Sequence, residues 1–387
     1  MPVVAIDAGP LHGRRTGVGE AVAGTLGALR DLDDDHDLVP RDDEALDAAT
    51  DAEPIELAPY VVSMRARAIA PTHRRLPVPA AVAHRMWARA SVPPMDRWLG
   101  NPDVVHGTNY VVPPARAPRI VSVYDCWFLE HLDEVDPAVR RSAAVLRRSV
   151  AEGAHVVTSS SATSARARSL LATERVHTVR LGPPPATEDP GRIPHTLTGV
   201  ALDADTPFVL ALGTLERRKN LTTLVRAFAR LGAAHRRVHL VVAGSPGDDE
   251  EAIHAAVSRL DDHIRSRVHV IGPVDEGGKR WLLAQARALA YPSLDEGFGF
   301  PVLEAQRAGT PVVASTAGSI PEVAGPAALL SLPSDPDALA ANLHWVVTDD
   351  ERHRSLVALG ERNLRRFSWQ RTATELASLY RRVAEEG

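Results

Sequence analysis

Two glutamates with seven residues between them, Glu296 and Glu304, flank a glycine-rich turn in YPSLDEGFGFPVLEAQRAGTPVVAST, residues 291–316. A second chemical group precedes it in G-T-L-E-R-R-K-N, where Arg218 and Lys219 follow Gly213 and Thr214. Gly297, Phe298, Gly299 and Phe300 lead into Pro301. Proline suits the first turn of a helix, where its missing N–H costs nothing. The free amides there are a ready site for oxygens or an anion. Arg218 and Lys219, two cations at another helix start with its own free amides, form a pattern suited to a diphosphate. Without an anion they would oppose the helix dipole. The competing readings are a solvated acidic loop and a solvated basic helix start.

The run Glu296-Gly-Phe-Gly-Phe-Pro-Val-Leu-Glu304, followed by Ala308-Gly-Thr-Pro-Val-Val-Ala314, resembles the E-x7-E signature of retaining glycosyltransferases of family 4. G-T-L-E-x-R-K-N resembles a segment of the same family. The resemblance implies an α/β chain of the GT-B fold: two Rossmann-like, doubly wound domains facing a cleft, with a C-terminal helix crossing back to the first. It implies that Glu296 and the amides of residues 297–300 contact the donor sugar and that Glu304 binds the ribose. Arg218 and Lys219 would stabilise the departing diphosphate, with no metal and no cofactor. Retention would come from same-face attack, the diphosphate helping to take the proton, so no protein nucleophile is named. G-T-L-E-x-R-K-N with the I-D-A opening resembles bacterial mannosyl- and rhamnosyltransferases of cell-surface glycans. That makes a hexosyl group the expected cargo, GDP-mannose the first donor to test, and a glycan or lipid-linked hydroxyl the acceptor. Two departures motivate the alternative of a catalytically impaired nucleotide-sugar-binding scaffold. Thr214 stands where relatives often carry a second Arg, and Tyr124 where many carry a His that contacts the sugar. A phenol is a poor base at neutral pH.

The elements that must position these groups follow an alternating strand–helix pattern. Val3–Asp7 reads as a first strand, followed by a loop with Arg14 and Arg15, then a helix opened by Gly17-Val-Gly19. The sequence lacks the third glycine of the dinucleotide fingerprint, having Val22 there, so Gly17 and Gly19 form either a tight turn or a ligand cradle. The resemblance places this loop towards the donor phosphate. Asp103–His106 and Arg119–Val123 read as strands ending in His106-Gly-Thr-Asn109 and Tyr124-Asp125. Strand C-terminal ends are where doubly wound folds place ligands. Either this subgroup dispenses with the absent His, or His106 and Asp125 share its role, or activity is impaired; the other reading of His106 is a strand-end core histidine. The run Asp33-Asp34-Asp35 contains D-x-D but follows a helix rather than a buried strand, so a solvated loop is expected and no metal site.

Gly182-Pro-Pro-Pro185 interrupts the alternation, which resumes at Phe208–Leu212 and continues through Val238–Ala243, Val268–Ile271, Ala288–Tyr291 and Pro311–Ala314. The expected domains are 1–183 on the acceptor side, a 184–206 linker, 207–366 for the nucleotide sugar, and a 367–387 crossover helix.

Composition narrows the class. A chain of 387 residues with 44% apolar content builds an ordinary globular core. A net charge of -5 argues against general nucleic-acid binding. The single cysteine, Cys126, excludes an internal disulfide. No stretch resembles a signal peptide or a membrane span, so a cytoplasmic location is expected. The segment Met64–Trp98 differs, carrying Arg65, Arg67, Arg74, Arg75, Arg85, Arg89 and Arg97 against the lone acid Asp96, among Met86, Trp87 and Trp98. It suits peripheral contact with an anionic membrane or a charged lipid-linked acceptor, or a surface helix with its Trp side chains turned inward.

Overall fold

A computed structural model describes residues 1–12, 17–34, 54–63, 70, 72–185, 189, 191–197 and 206–387. Arg14, Arg15, Asp35, the side chains of Asp33 and Asp34, the 64–69 part of the arginine-rich segment and residues 198–205 of the expected linker lie outside the described residues. The chain divides into two compact units, Met1–Gly182 with Phe367–Gly387, and Pro183–Arg366.

The first unit is built on a parallel sheet of strands β1 (Val3–Asp7), β2 (Glu56–Val61), β3 (Arg74–Arg75), β4 (Val104–Gly107), β5 (Arg119–Ser122), β6 (His155–Thr158) and β7 (Val176–Thr178), in the order β3-β2-β1-β4-β5-β6-β7. The second holds β8 (Phe208–Leu212), β9 (His239–Ala243), β10 (Val268–Gly272), β11 (Ala288–Tyr291), β12 (Val312–Ser315) and β13 (Ala328–Ser331), in the order β10-β9-β8-β11-β12-β13. Parallel strands joined by helices are covered on both faces and read as unbroken apolar runs. β8, FVLAL, is buried at every position. Its alternate side chains feed two cores: Val209 and Ala211 join Leu224, Phe228 and Leu343, while Leu210 and Leu212 join Leu289, Val302 and Ile320.

In each sheet the strand order reverses once, between β1 and β4 and between β8 and β11. Such a reversal opens a crevice beyond the strand ends where doubly wound folds bind ligands. In the second unit it falls between Gly213 and Pro292, the starts of the two loops singled out by their chemistry.

The last helix, Trp369–Glu385, belongs to the first unit. It buries Leu376, Leu379, Tyr380 and Val383 and packs on the helix Gly17–Asp34. Trp369 lies over Gly24 and Gly182; a Cβ on Gly24 would meet the indole at 2.3 Å and one on Gly182 at 2.2 Å.

Two segments differ from expectation. β2 has no counterpart among the strands read from the sequence and contains Pro59, which argues against a strand with neighbours on both sides. It is tolerated because β3 reaches only Tyr60 and Val61, leaving that flank unpaired at Pro59. The described part of the arginine-rich segment is not one helix but β3, a helix Ala80–Trp87 and a single turn Asp96–Leu99. Trp87 is buried, whereas Met86 and Trp98 are exposed.

Candidate functional site

The loop after β8 is shaped by its backbone. Gly213 has φ +141°, and the stem of Lys219 passes over it, with Cε 3.1 Å from where a Cβ would stand. Leu215 is buried and its N–H donates to the Ser245 carbonyl. Arg217–Lys219 form a 3-10 turn, and Asn220 (φ 55°) precedes the helix Leu221–Ala234. The Asn220 side chain donates to the carbonyls of Pro292 (3.0 Å) and Pro333 (2.8 Å), and Leu294 N–H donates to Arg218 O at 2.7 Å. The loops after β8 and β11 are therefore stitched together along their backbones.

Glu296 lies at that seam, buried. Its Oε1 accepts from Lys219 Nζ at 2.6 Å and Ser293 Oγ at 2.8 Å, and its Oε2 from Arg218 at 2.7 Å. Burial pushes the Glu296 carboxyl up, but Lys219 and Arg218 together pull it down to about 2. Lys219 also donates to Tyr291 Oη at 3.0 Å and lies 4.9 Å from that ring's centre. Arg218 reaches the Asp295 carbonyl and, at 3.5 Å, Glu216.

The rest of the loop is fixed from behind. Ser315 Oγ donates to Ser293 O, Ser319 Oγ to Phe298 O, and Ser319 N–H to Glu296 O. Gly318 must be glycine, since a Cβ would stand 2.5 Å from Glu296 O. Gly299, at φ +97°, turns the chain into the helix Phe300–Arg307, with Pro301 in its first turn and Phe298 and Phe300 edge to face. Glu304 is one turn further along. Its Oε1 accepts from Lys279 at 2.8 Å, and Lys279 also pairs with Glu276 at 3.0 Å.

The structure thus brings Arg218, Lys219 and Glu296 into direct contact beside Gly213, with Gly297–Phe300 and Glu304 continuing the same loop and helix. Sequence reasoning missed the bridging role of Asn220, which entered only as the last residue of G-T-L-E-R-R-K-N, Ser293 and Ser319 as buried props, and Lys279 as the partner of Glu304. The scarcity of lysine, with Lys219 and Lys279 the only two, was the available signal for Lys279.

The first-unit residues stand in their own surroundings. His106 is buried, with Nδ1 2.7 Å from Tyr380 Oη and Nε2 2.9 Å from Ser122 Oγ. Burial pulls its pKa down to about 3. Both ring nitrogens are engaged and the ring is neutral, so His106 is a core histidine tying β4 to β5 and to the last helix. Of the two readings of His106 in the sequence, these contacts fit the strand-end core histidine. Asp125 accepts from Tyr110 Oη at 3.2 Å and from the Trp127 amide. Tyr124 meets Tyr110 edge to face, and burial pushes its phenol up, further from use as a base. Gly17 is exposed at the first position of its helix, with open space where a Cβ would stand; Gly19 is buried. Among the described residues no group of His, Cys, Asp and Glu is arranged to hold a metal.

Residues 198–362 match the family model of glycosyl transferases group 1. That segment is similar to the glycosyl transferases of group 1. It accounts for most of the second unit and contains every residue of the Arg218–Lys219–Glu296 cluster. O-antigen chain mannosyltransferase B of Escherichia coli is 34% identical over 175 residues, 45% of this chain and 45% of that protein. MMP alpha-(1->4)-mannosyltransferase of Mycolicibacterium hassiacum is 32% identical over 237 residues, 59% of this chain and 53% of its own. The chain thus spans about half the length of these curated relatives. Sucrose-phosphate synthase from Thermosynechococcus elongatus superimposes with a TM-score of 0.71 at 19% identity, covering 100% of both chains. At that identity the likeness shows the fold, GT-B, and the segment that resembles group 1 lies in its second half.

Proposed function

We propose that the chain is a retaining, metal-independent glycosyltransferase that moves a hexosyl group from a nucleotide-diphospho-sugar to a hydroxyl of a glycan or lipid-linked acceptor. The observation that carries this is the buried Arg218–Glu296–Lys219 cluster at the strand-order reversal. Two cations converge on one carboxylate, leaving positive charge at a place where a diphosphate can dock. Electrostatic stabilisation by fixed cations in a water-poor site is a strong way to help a departing anion. In this reading Glu296 and the amides of 297–300 hold the sugar, Glu304 holds the ribose, and Arg218 and Lys219 take the charge that develops on the diphosphate. Mannose is the first sugar to test, because both curated relatives described above are mannosyltransferases by name, and GDP-mannose is the corresponding donor. Cell-surface polysaccharide or glycolipid synthesis is the matching setting.

Thermal shifts with GDP, UDP, dTDP and ADP, each with and without EDTA, test the reading. Ligand at ~100 times its dissociation constant adds about 2.7 kcal/mol of stability. One diphosphate stabilising through EDTA, and failing with Lys219→Ala or Glu304→Ala, supports the site. Silence from all four rejects it. Binding without sugar transfer or donor hydrolysis would favour the impaired scaffold.

Peripheral membrane contact belongs to the same reading. On the helix Ala80–Trp87, Val82, Arg85 and Met86 are exposed on the face opposite buried Ala83 and Trp87, with Arg89, Val92, Arg97 and Trp98 exposed beyond it. Apolar tips among arginines match an anionic bilayer surface. No described helix is long and apolar enough to cross a membrane. Flotation with phosphatidylglycerol vesicles should carry the chain upward and should fail with Arg85→Ala plus Arg89→Ala; no flotation of the unaltered chain removes the idea.

A further inference from the structure

The chain has two lysines, and each holds one of the two spaced glutamates: Lys219 on Glu296 and Lys279 on Glu304. The first pair belongs to the anion cluster. The second is not accounted for by it. Lys279 stands one turn into the helix Glu276–Gln285, whose start is fixed by Asp275, the carboxylate accepting Gly278 N–H at 2.8 Å and contacting Arg192. From that anchored turn Nζ reaches Glu304 Oε1 at 2.8 Å and Glu276 Oε2 at 3.0 Å. The Lys279 and Glu304 side chains are 23% and 16% exposed, so the contact is largely shielded from water. Burial pulls the amine down, but Glu304 and Glu276 more than offset it, and its pKa rises; the amine is an ammonium at neutral pH. Among the described residues Glu304 Oε2 accepts no hydrogen bond.

Two consequences follow from this geometry. An ammonium on one carboxylate oxygen fixes the side-chain rotamer and leaves the other oxygen with a set direction, which a lone, partly buried carboxylate would lack. It also cancels the Glu304 charge, which would otherwise repel a ligand carrying a diphosphate. We propose that Lys279 is the positioning residue of the ribose subsite: it fixes Glu304 through Oε1 and leaves Oε2 to accept a hydrogen bond from a ribose hydroxyl. This rests on the reading of Glu304 as the ribose-binding carboxylate. Lys279 thereby sets the preference for a ribonucleotide over its deoxygenated analogue without itself touching the diphosphate.

Calorimetric titration with GDP and UDP, their 2′,3′-dideoxy forms, and inorganic pyrophosphate tests it on the unaltered chain, Lys279→Met and Lys279→Arg. A charge-assisted hydrogen bond of this kind corresponds to about a tenfold or larger preference. The unaltered chain should prefer the ribonucleotide by that margin. Lys279→Met should bring the ratio to within about twofold by weakening the ribonucleotide more than the dideoxy form, since any loss from the uncancelled Glu304 charge falls equally on both and on pyrophosphate; retained pyrophosphate binding also certifies the fold. Lys279→Arg should recover most of the preference. A ratio that survives Lys279→Met overturns the role of Lys279 while leaving the glycosyltransferase reading intact. An unaltered chain that binds neither ribonucleotide overturns both.

Discussion

Lys219 and Glu296 meet at 2.6 Å between the loops that follow β8 and β11, on either side of the point where the strand order reverses. The carboxylate occupies the cations that the proposed function assigns to a diphosphate, and so acts as an internal competitor for them. Glu296→Gln should therefore bind inorganic pyrophosphate about tenfold more tightly while losing sugar transfer. Lys219→Ala should do the opposite to pyrophosphate and cost about 3–5 kcal/mol of stability, since it removes one partner of a buried ion pair. Titration and denaturant midpoints read both; unchanged pyrophosphate affinity in both variants would show that these cations do not meet the anion.

Asn220 combines a left-handed backbone with two donated side-chain bonds to Pro292 O and Pro333 O. Asn220→Gly keeps the backbone at ease and strands two carbonyls, so about 1–3 kcal/mol should be lost. Asn220→Ala adds the cost of a Cβ at positive φ and should lose about 1 kcal/mol more. Urea midpoints that rank Ala above Gly would show that the backbone term is absent.

Gly24 faces the Trp369 ring so closely that a methyl group cannot be added without moving the indole. Gly24→Ala should destabilise the first unit by about 1–3 kcal/mol despite alanine's better helix propensity. Gly27 in the same helix has open space at its Cβ position, so Gly27→Ala should be neutral or stabilising. Equal effects of the two would contradict the packing described.

His106 is held neutral at about 3 in the fold, against an ordinary 6.5. The unfolded chain takes up the proton first. The stability this provides is full above about pH 6.5 and is lost as the pH falls towards 3, on the order of 5 kcal/mol in all. Over pH 6 to 4.5 the unaltered chain should lose about 1.4 kcal/mol per pH unit more than His106→Gln. Parallel stability–pH curves would refute it. The Glu296 contribution shares the sign but sets in lower: it is full above 4.5 and fades towards about 2.

The buried strands were legible because parallel strands are apolar throughout; β1, β8 and β11 stand at the residues their sequences mark. The meeting of Arg218 and Lys219 with Glu296 was legible because glycine, proline and charge coincide at two strand ends. Other features were hidden for physical reasons. The Lys279–Glu304 pair depends on the rotational setting of two helices, which neither sequence segment carries alone. β2 was masked by Pro59, acceptable only because its neighbour is so short. His106 has the composition of a ligand-facing residue, and only Tyr380, arriving from the distant last helix, makes it part of the core.

The return of that last helix has a consequence for synthesis. Phe367–Gly387 completes the first unit, yet every residue of the second, Pro183–Arg366, leaves the ribosome before it. The later-made half is contiguous and can close as soon as its residues have emerged, whereas Gly24, Gly182 and His106 must wait for Trp369 and Tyr380. The half that is translated first is finished last, so a nascent chain stalled before Phe367 would present the groove awaiting Leu376 and Tyr380 to chaperones rather than to its own helix.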